Sequence, residues 1–276
     1  MLDGLEQLPP DSILGLAAAA RADTNPDKVD LTVGIYMDES GVCPVFNAVR
    51  LAQQALVEEE TSKAYLPPAG PEDFNTGMRS LVFGADSAAL ADARVSSISA
   101  PGGCGALRIG AEIVNAAKPG ARVWVSDPTW PVHIPLLGSV GLQFETYRYY
   151  DAATHGVDFD AMVDDLGRAQ AGDVVLLHGC CHNPCGADLS IDQWTTIADM
   201  AERQGFMPFV DVAYQGLGDG LDEDAAGIRI LAQRLPEMIV AASCSKNMGL
   251  YRERTGIAMF LCQNADNANA LLSQAA

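Results

Sequence analysis

Lys246 stands in Ser243-Cys-Ser-Lys-Asn-Met-Gly-Leu-Tyr-Arg-Glu-Arg254, directly after the apolar run 237–243, and it is the only lysine beyond Lys118. A lysine set among small hydroxyl residues at a ligand-binding edge loses hydration. Its pKa falls, and the neutral amine can attack a carbonyl. A solvated surface position is the commoner fate of this residue type. Asp211 sits near the end of a second apolar run, Met207-Pro-Phe-Val-Asp-Val-Ala-Tyr-Gln-Gly216. A carboxylate at the C-terminal edge of a buried strand can hold a cation or a protonated ring nitrogen, whereas most aspartates at such places serve turns or caps. Ala100-Pro-Gly-Gly-Cys-Gly-Ala-Leu-Arg-Ile109 lies between a strand pattern and a helix pattern. Glycines there let backbone N–H groups and a helix N-terminus approach a phosphate. No Gly-Lys-Ser/Thr follows and Arg108 occupies the third glycine position of a dinucleotide fingerprint, so a merely tight turn fits equally well. His178-Gly-Cys-Cys-His-Asn-Pro-Cys-Gly186 carries zinc-type ligands in Cys180, Cys181, His182 and Cys185. Adjacent Cys-Cys-His can rarely all turn to one tetrahedral ion, and no second Cys/His pair follows at ribbon spacing, so no metal site is expected.

These residues must be held by something, and the chain has material for it. Its 276 residues are 49% hydrophobic and 19% charged, which excludes a disordered chain and gives ample core for one large domain or two small ones. The 36 acidic and 17 basic residues give a net charge of −19, arguing against nucleic acid or anionic membrane as a partner. No apolar run approaches the ~20 residues of a membrane helix. Asp3, Glu6 and Asp11 leave the start of the chain without a signal-peptide pattern. Seven cysteines, two of them adjacent, make a poor disulfide framework and fit a reducing cytoplasm.

Helical patterns are expected at 12–22, 47–60 and 72–83, with a strand-like stretch at 29–36. From residue 94 short apolar runs recur at 94–99, 122–126, 142–147, 173–179, 207–212, 237–243 and 256–262, mostly separated by helical segments. That alternation predicts βαβ units on a mostly parallel sheet. At 191–204, Ser190 and Gln193 form a candidate capping box, Ile191, Trp194, Ile197, Ala198 and Ala201 share one face, and Gly205 stops the helix. Residues 264–276 read as the opening of a further helix.

Taken together, the motifs resemble those of the class I pyridoxal-phosphate aminotransferases, in the aspartate/aromatic amino-acid subgroup. The resemblance runs from about Pro10 to Phe260. It rests on Val33-Gly-Ile-Tyr36, Pro101-Gly-Gly-Cys-Gly-Ala-Leu-Arg108, Val123-Trp-Val-Ser-Asp-Pro-Thr-Trp-Pro-Val-His133, Leu177-His-Gly-Cys-Cys-His-Asn-Pro184, Asp211-Val-Ala-Tyr-Gln-Gly216 and Ser243-Cys-Ser-Lys-Asn247 with Arg254. It implies a three-layer αβα fold of the pyridoxal-phosphate-dependent transferase type. Residues 1–45 would form an N-terminal arm and part of a small domain, and 46–276 the large cofactor domain. Lys246 would form the Schiff base and shuttle the substrate proton, and Asp211 would pair with the pyridine nitrogen. Tyr214 and Asn183 would bond the ring's phenolic oxygen, and Trp130 would stack on the ring. Gly103, Cys104, Ser243 and Arg254 would hold the phosphate. Tyr65 would reach the phosphate of the neighbouring subunit of a homodimer. Gly34, Trp130 and Asn183 would face the substrate, and His133 and His178 would stand behind Asp211.

This sequence departs from the family pattern at Cys104, at Cys185, Cys244 and Met248, which replace a common Thr, Tyr and Phe, and in length. Cys104 replaces a common threonine, exchanging a hydroxyl donor for a weak thiol donor, which predicts weaker cofactor binding. Family members also continue for roughly another third of a chain, and that part supplies the arginines that grip substrate carboxylates, so the resemblance implies an incomplete small domain. The expected activity is transamination of an aspartate or aromatic L-amino acid with a 2-oxo acid such as 2-oxoglutarate, in the cytoplasm. The alternative is a catalytically silent cofactor-binding or dimerisation module.

Overall fold

The computed structural model describes residues 12–32 and 34–276. Val33 and the first eleven residues, including Asp3, Glu6, Pro10 and Asp11, lie outside the described set. The chain divides into two compact units, Met1–Val45 and Phe46–Ala276.

The first unit contains α1 (Ser12–Ala22). The strand expected at 29–36 is absent: residues 29–32 and 34–36 form neither helix nor strand. Val29 and Leu31 are 78% and 86% exposed. A β-branched pattern is a local signal, but a strand needs a neighbour to pair with, and no ladder reaches this segment among the described residues.

In the second unit come α2 (Asn47–Glu59), α3 (Glu72–Phe83), α4 (Ala88–Ala91), β1 (Val95–Pro101), α5 (Gly102–Ala117), β2 (Arg122–Asp127), α6 (His133–Gly138) and β3 (Gln143–Arg148). A small ribbon of β4 (Tyr150–Asp151) and β5 (Gly156–Val157) precedes α7 (Phe159–Leu166) and β6 (Val174–His178). Then follow α8 (Ile191–Gln204), β7 (Met207–Val212), α9 (Ala226–Arg234), β8 (Met238–Ser243), β9 (Thr255–Leu261) and α10 (Ala265–Ala275). Among the described residues, seven strands form one sheet in the order β1-β9-β8-β7-β6-β2-β3. Strand β9 runs antiparallel to both neighbours, and the other pairings are parallel.

Burial on both faces explains the near-continuous apolar runs of these strands. One face packs Val210, Val212, Val240 and Met259 against Met78 of α3, Trp194 and Ile197 of α8 and Leu231 of α9. The other packs Phe209, Ile239, Ala241 and Phe260 against Ala106, Leu107 and Ala111 of α5. The result is a mostly parallel sheet between helical layers. On the second face α5 comes very close to the sheet: a Cβ at Gly110 would lie 2.4 Å from Phe209 Cζ. Only glycine permits that approach.

Local rules fix the helix that follows the cysteine loop. Ser190 Oγ accepts from Gln193 N (3.3 Å), Gln193 Oε1 accepts from Ser190 N (2.8 Å), and Gly205 ends α8 at φ +76°. Trp194, Ile197, Ala198 and Ala201 are buried as the periodicity requires, but Ile191 is 53% exposed. It belongs to the first turn, where the helix has not yet reached the sheet's cover. At the other end of the sheet from the ligand edge, Asp173 Oδ2 accepts from Arg122 Nη2 (2.6 Å), Trp124 Nε1 (3.0 Å) and Gln170 N (3.0 Å). Burial alone would raise this carboxyl, yet the donors around it outweigh that and hold its pKa below the ordinary value.

Candidate active site

In an open α/β sheet, side chains converge beyond the carboxyl ends of the parallel strands. Here Gly103 and Cys104 open α5 after β1, Trp130 follows β2, and His178 ends β6 with Asn183 in the loop beyond. Asp211 lies on β7 in register with His178, and Ser243 ends β8, three residues before Lys246. All of these, with Tyr214 and Arg254, line one cavity of about 220 Å³. His133, at the start of α6, does not line it but bonds to Asp211 from behind. Tyr65 is fully exposed on the second unit and is not part of the cavity wall, and Gly34 belongs to the first unit.

The wall also includes residues that motif reading left without a role: Leu107, Cys180, Ala213, Ser245 and Tyr251. Ser245 had a signal, since it is the second hydroxyl of Ser-Cys-Ser-Lys. Ser243 Oγ donates to Ser245 Oγ (2.9 Å) and accepts from Ser245 N (3.1 Å). Tyr251 had none, because its place depends on how the chain turns after β8.

Lys246 Nζ lies 5.8 Å from the ring centre of Tyr214 and 5.4 Å from that of Tyr251. Burial, with the Arg254 cation as a second cause, lowers its pKa below the usual lysine value, so the neutral amine is more populated than on a surface lysine. Arg254 Nη1 donates to Tyr251 O (3.0 Å), and no carboxylate ion-pairs with Arg254 among the described residues. The guanidinium is held tightly against the loop that opens α5. Gly102 has φ +71°, and a Cβ there would meet Arg254 Nη2 at 2.6 Å. A Cβ on Gly103 would lie 3.4 Å from Ser243 Cβ.

Behind Asp211 runs a chain of polar contacts. His133 Nε2 donates to Asp211 Oδ2 (2.9 Å), His133 Nδ1 meets Thr129 Oγ1 (2.8 Å), and Thr129 Oγ1 meets His178 Nε2 (3.3 Å). Thr129 is a further residue that motif reading left without a role, although it lies inside the Asp-Pro-Thr-Trp segment. The His178 ring lies 3.8 Å from that of His182, which stacks on Tyr149 at 4.3 Å. The Tyr214 hydroxyl pKa is raised by burial and by the Asp211 charge, with Asn183 opposing the rise.

The sequence's metal-type residues separate in space. His182 Nε2 bonds to Ser126 Oγ (3.0 Å) and its Nδ1 to Cys185 Sγ (3.2 Å). Cys180 and Cys181 instead face Asp224, with ligand atoms within 4.8 Å of one another. Asp224 accepts N–H bonds from Gly216 and Gly218 on one oxygen and from Asp219 and Gly220 on the other. Burial raises the pKa of both thiols. Saturated carboxylate and protonated thiols make a poor ligand set.

The buried imidazoles set a pH dependence for stability. Burial and its two histidine neighbours hold His178 well below the ordinary 6.5, and burial brings His182 to about 4 despite the nearby Asp188. Both bind protons more weakly folded than unfolded. Their contribution is complete above pH 6.5 and is lost as pH falls through the folded values. For His182 that amounts to about 3 kcal/mol. Urea unfolding at stepped pH should show stability declining from pH 6.5 towards 4, and His182→Asn should flatten the slope by about one proton. An unchanged slope in the variant would refute the assignment.

Sheet order, the glycine-lined cup beside an arginine, the half-buried lysine and the histidine-backed aspartate define a cofactor-dependent group-transfer enzyme of the α/β type. The chain belongs to the class I and II aminotransferase family, which it matches over residues 26–276. It is 49% identical over 276 residues to the aromatic-amino-acid aminotransferase of Paracoccus denitrificans, covering 100% of this chain and 69% of that protein. It is 45% identical over 274 residues to the aspartate aminotransferase of Escherichia coli K12, covering 99% and 69%. Among solved structures, an aromatic amino acid aminotransferase with 3-indolebutyric acid superposes with a TM-score of 0.96 at 47% identity, covering 100% of this chain and 69% of that one. The Burkholderia pseudomallei aromatic-amino-acid aminotransferase covalently bound to pyridoxal phosphate gives 0.96 at 40% identity, again covering 100% and 69%. The protein is a pyridoxal-phosphate-dependent transaminase, and its relatives favour that over a silent binding module.

Proposed function

We propose that this cavity transfers the amino group of an aspartate or aromatic L-amino acid to a 2-oxo acid such as 2-oxoglutarate, with Lys246 as the catalytic residue. The observation that carries the reading is the convergence of Lys246, Asp211 and Arg254 on one cavity. The residues fit pyridoxal phosphate by chemistry. Lys246 and Arg254 face Asp211 across the cavity, and the backbone of Gly102, at φ +71°, comes so near Arg254 that an added Cβ would meet Nη2 at 2.6 Å, which suits a phosphate monoester. When bound, pyridoxal phosphate supplies an electron-accepting ring that carries the amino group between the two substrates.

The chain's own groups would then divide the work. Arg254, Ser243, Cys104 and the N–H of Gly103 hold the phosphate. Asp211, aligned by His133, presents a fixed negative charge to the ring nitrogen and keeps it protonated. The neutral His178 adds no positive charge to compete with it. Tyr214 and Asn183 offer hydrogen bonds to the phenolic oxygen, and Trp130 covers the ring. Lys246, whose pKa burial and the Arg254 cation bring below the usual lysine value, takes and returns the proton at the substrate's Cα. Trp130 and Asn183 also face the substrate.

The reading extends to the assembly. Residues 46–276 serve as the large cofactor domain and 1–45 as an arm and part of a small domain, in a cytoplasmic homodimer. Support comes from α2: none of its thirteen residues is buried, and Leu51, Leu56 and Val57 are exposed, as is Tyr65 beyond it. A helix with apolar residues and no buried side chain suits a partner surface. Among the described residues no helix is long and apolar enough to cross a membrane. Hybrid dimers test the shared site. Tyr65→Ala should bind cofactor roughly tenfold more weakly, the loss of one hydrogen bond to a charged group. Mixing it with Lys246→Ala chains should create one intact site per hybrid, seen as recovered cofactor affinity by fluorescence titration. Affinity that stays weak in the mixture would remove Tyr65 from the neighbouring site.

A further inference from the structure

We propose that Asp224, which does not line the cavity, is the positioning residue that sets Tyr214 against the phenolic oxygen of the cofactor ring. The role rests on the cofactor reading above and deepens it. Asp224 ends the segment Asp219-Gly-Leu-Asp-Glu-Asp224. Asp222 and Glu223 are exposed, and Arg229 ion-pairs with Asp222, but Asp224 is only 7% exposed. Its carboxylate closes on one loop. Oδ2 accepts from the N–H groups of Gly216 (2.8 Å) and Gly218 (2.9 Å), and Oδ1 from those of Asp219 (2.8 Å) and Gly220 (3.4 Å). Burial raises its pKa, yet these donors outweigh that and hold it below the ordinary value, so the group stays charged.

The loop it holds begins at Tyr214, whose side chain lines the cavity. Leu217 N donates to Tyr214 O (2.9 Å), and Gly216 inside that turn has φ +93°. The buried Gln215 donates through Nε2 to Leu81 O (2.9 Å) and Leu221 O (2.8 Å). Asn247, one residue past Lys246, donates through Nδ2 to Gln215 O (3.0 Å). Beyond Gln215 the chain is exposed from Gly216 to Asp219, and residues 216, 218 and 220 are glycine. Glycine has the most conformational freedom to lose, so this stretch does not hold its own course. The four bonds to Asp224 fix it, and with it the backbone from which the Tyr214 ring points into the cavity.

Asparagine keeps one acceptor oxygen but turns an NH2 group towards two N–H donors. In Asp224→Asn the amides of 216–220 should exchange hydrogen faster, with or without cofactor. In the loaded chain the pH midpoint of the cofactor's visible absorbance should rise by about one pH unit. A hydrogen bond at the phenolic oxygen favours the form in which the neighbouring nitrogen has lost its proton, and a tenfold change is the order of one such bond to a charged group. Turnover should fall roughly tenfold with KM little changed, within the ~10²-fold that a misplacement of about 1 Å can cost. Gly218→Ala attacks the same contact from the exposed side: its Cβ would lie 2.6 Å from Asp224 Oδ1, displacing the carboxylate without removing its charge. It should move the midpoint the same way, and it carries the test if Asp224→Asn does not fold. In a Tyr214→Phe background neither substitution should move the midpoint further. An unmoved midpoint in these variants, or a shift that adds in full to that of Tyr214→Phe, would make Asp224 a purely structural carboxylate and overturn the proposal. If the unsubstituted chain takes up no pyridoxal phosphate, the cofactor reading fails. The Tyr214 ring signals in NMR spectra of the cofactor-free chain then decide: moved in the variants they support the positioning role, unmoved they reject it.

Discussion

Lys246→Ala should fold normally and lose transamination by roughly 10⁴-fold or more, the upper part of the range for removing a positioned acid–base group. The side chain is half-buried and its amine is shared between the faces of Tyr214 and Tyr251, so its removal leaves no buried charge without compensation. Stability in urea should therefore barely change. Lys246→Arg is the sharper variant. It keeps a cation beside Arg254 and Asp211, but a guanidinium stays charged at every accessible pH and offers no neutral amine. If charge were what mattered, the arginine variant would retain most of the rate. If proton transfer matters, it should be about as slow as the alanine variant. Borohydride treatment of the loaded protein adds a direct readout, since the label should appear on the peptide containing Lys246. Label on Lys63 or Lys118 would overturn the assignment.

Asp211→Asn should cost about 10³-fold in turnover, comparable to removing a preorganised electrostatic contact. Asparagine is the same size, and its amide oxygen can still accept the His133 Nε2–H that Asp211 accepts at 2.9 Å. Packing around the buried His133 ring should survive, so the thermal midpoint should move by a few degrees at most. What disappears is the negative charge in the cavity wall. The loss should appear in kcat more than in the KM of either substrate, because the charge acts on the ring during reaction. A variant that lost rate only in proportion to lost fold would show Asp211 to be a structural carboxylate, the ordinary role for its type.

How far these residues could be read from sequence follows from the range of each signal. The βα alternation from residue 94 onward was legible because strands buried on both faces carry continuous apolar runs. The capping box at Ser190 and Gln193 was legible because it is complete within four residues. The stretch 29–36 has a strand's pattern, yet its described residues form none, since pairing depends on distant chain that local composition does not report. The same division holds in the cavity. Asp211 lies near the carboxyl end of a strand, and Gly103, Asn183 and Lys246 follow within a few residues of one, so their meeting at one edge follows from parallel topology. Thr129 and Tyr251 reach the site or its support only through the course of loops, and the directions of their side chains are set by tertiary packing.

Helix α5 behaves as a strut. Gly110 presses it on Phe209 eight residues beyond Gly102, which at 1.5 Å per residue places that fulcrum roughly 12 Å below the cup. A tilt of about 5° at the fulcrum would swing the opening turn by roughly 1 Å, enough to disturb an anion seat built from backbone. The alignment of the phosphate end of the site is thus machined in the hydrophobic layer, far from any group that touches the anion. Selection for tight anchoring of a small ligand would fall on an apolar contact that no inspection of the cavity wall reveals.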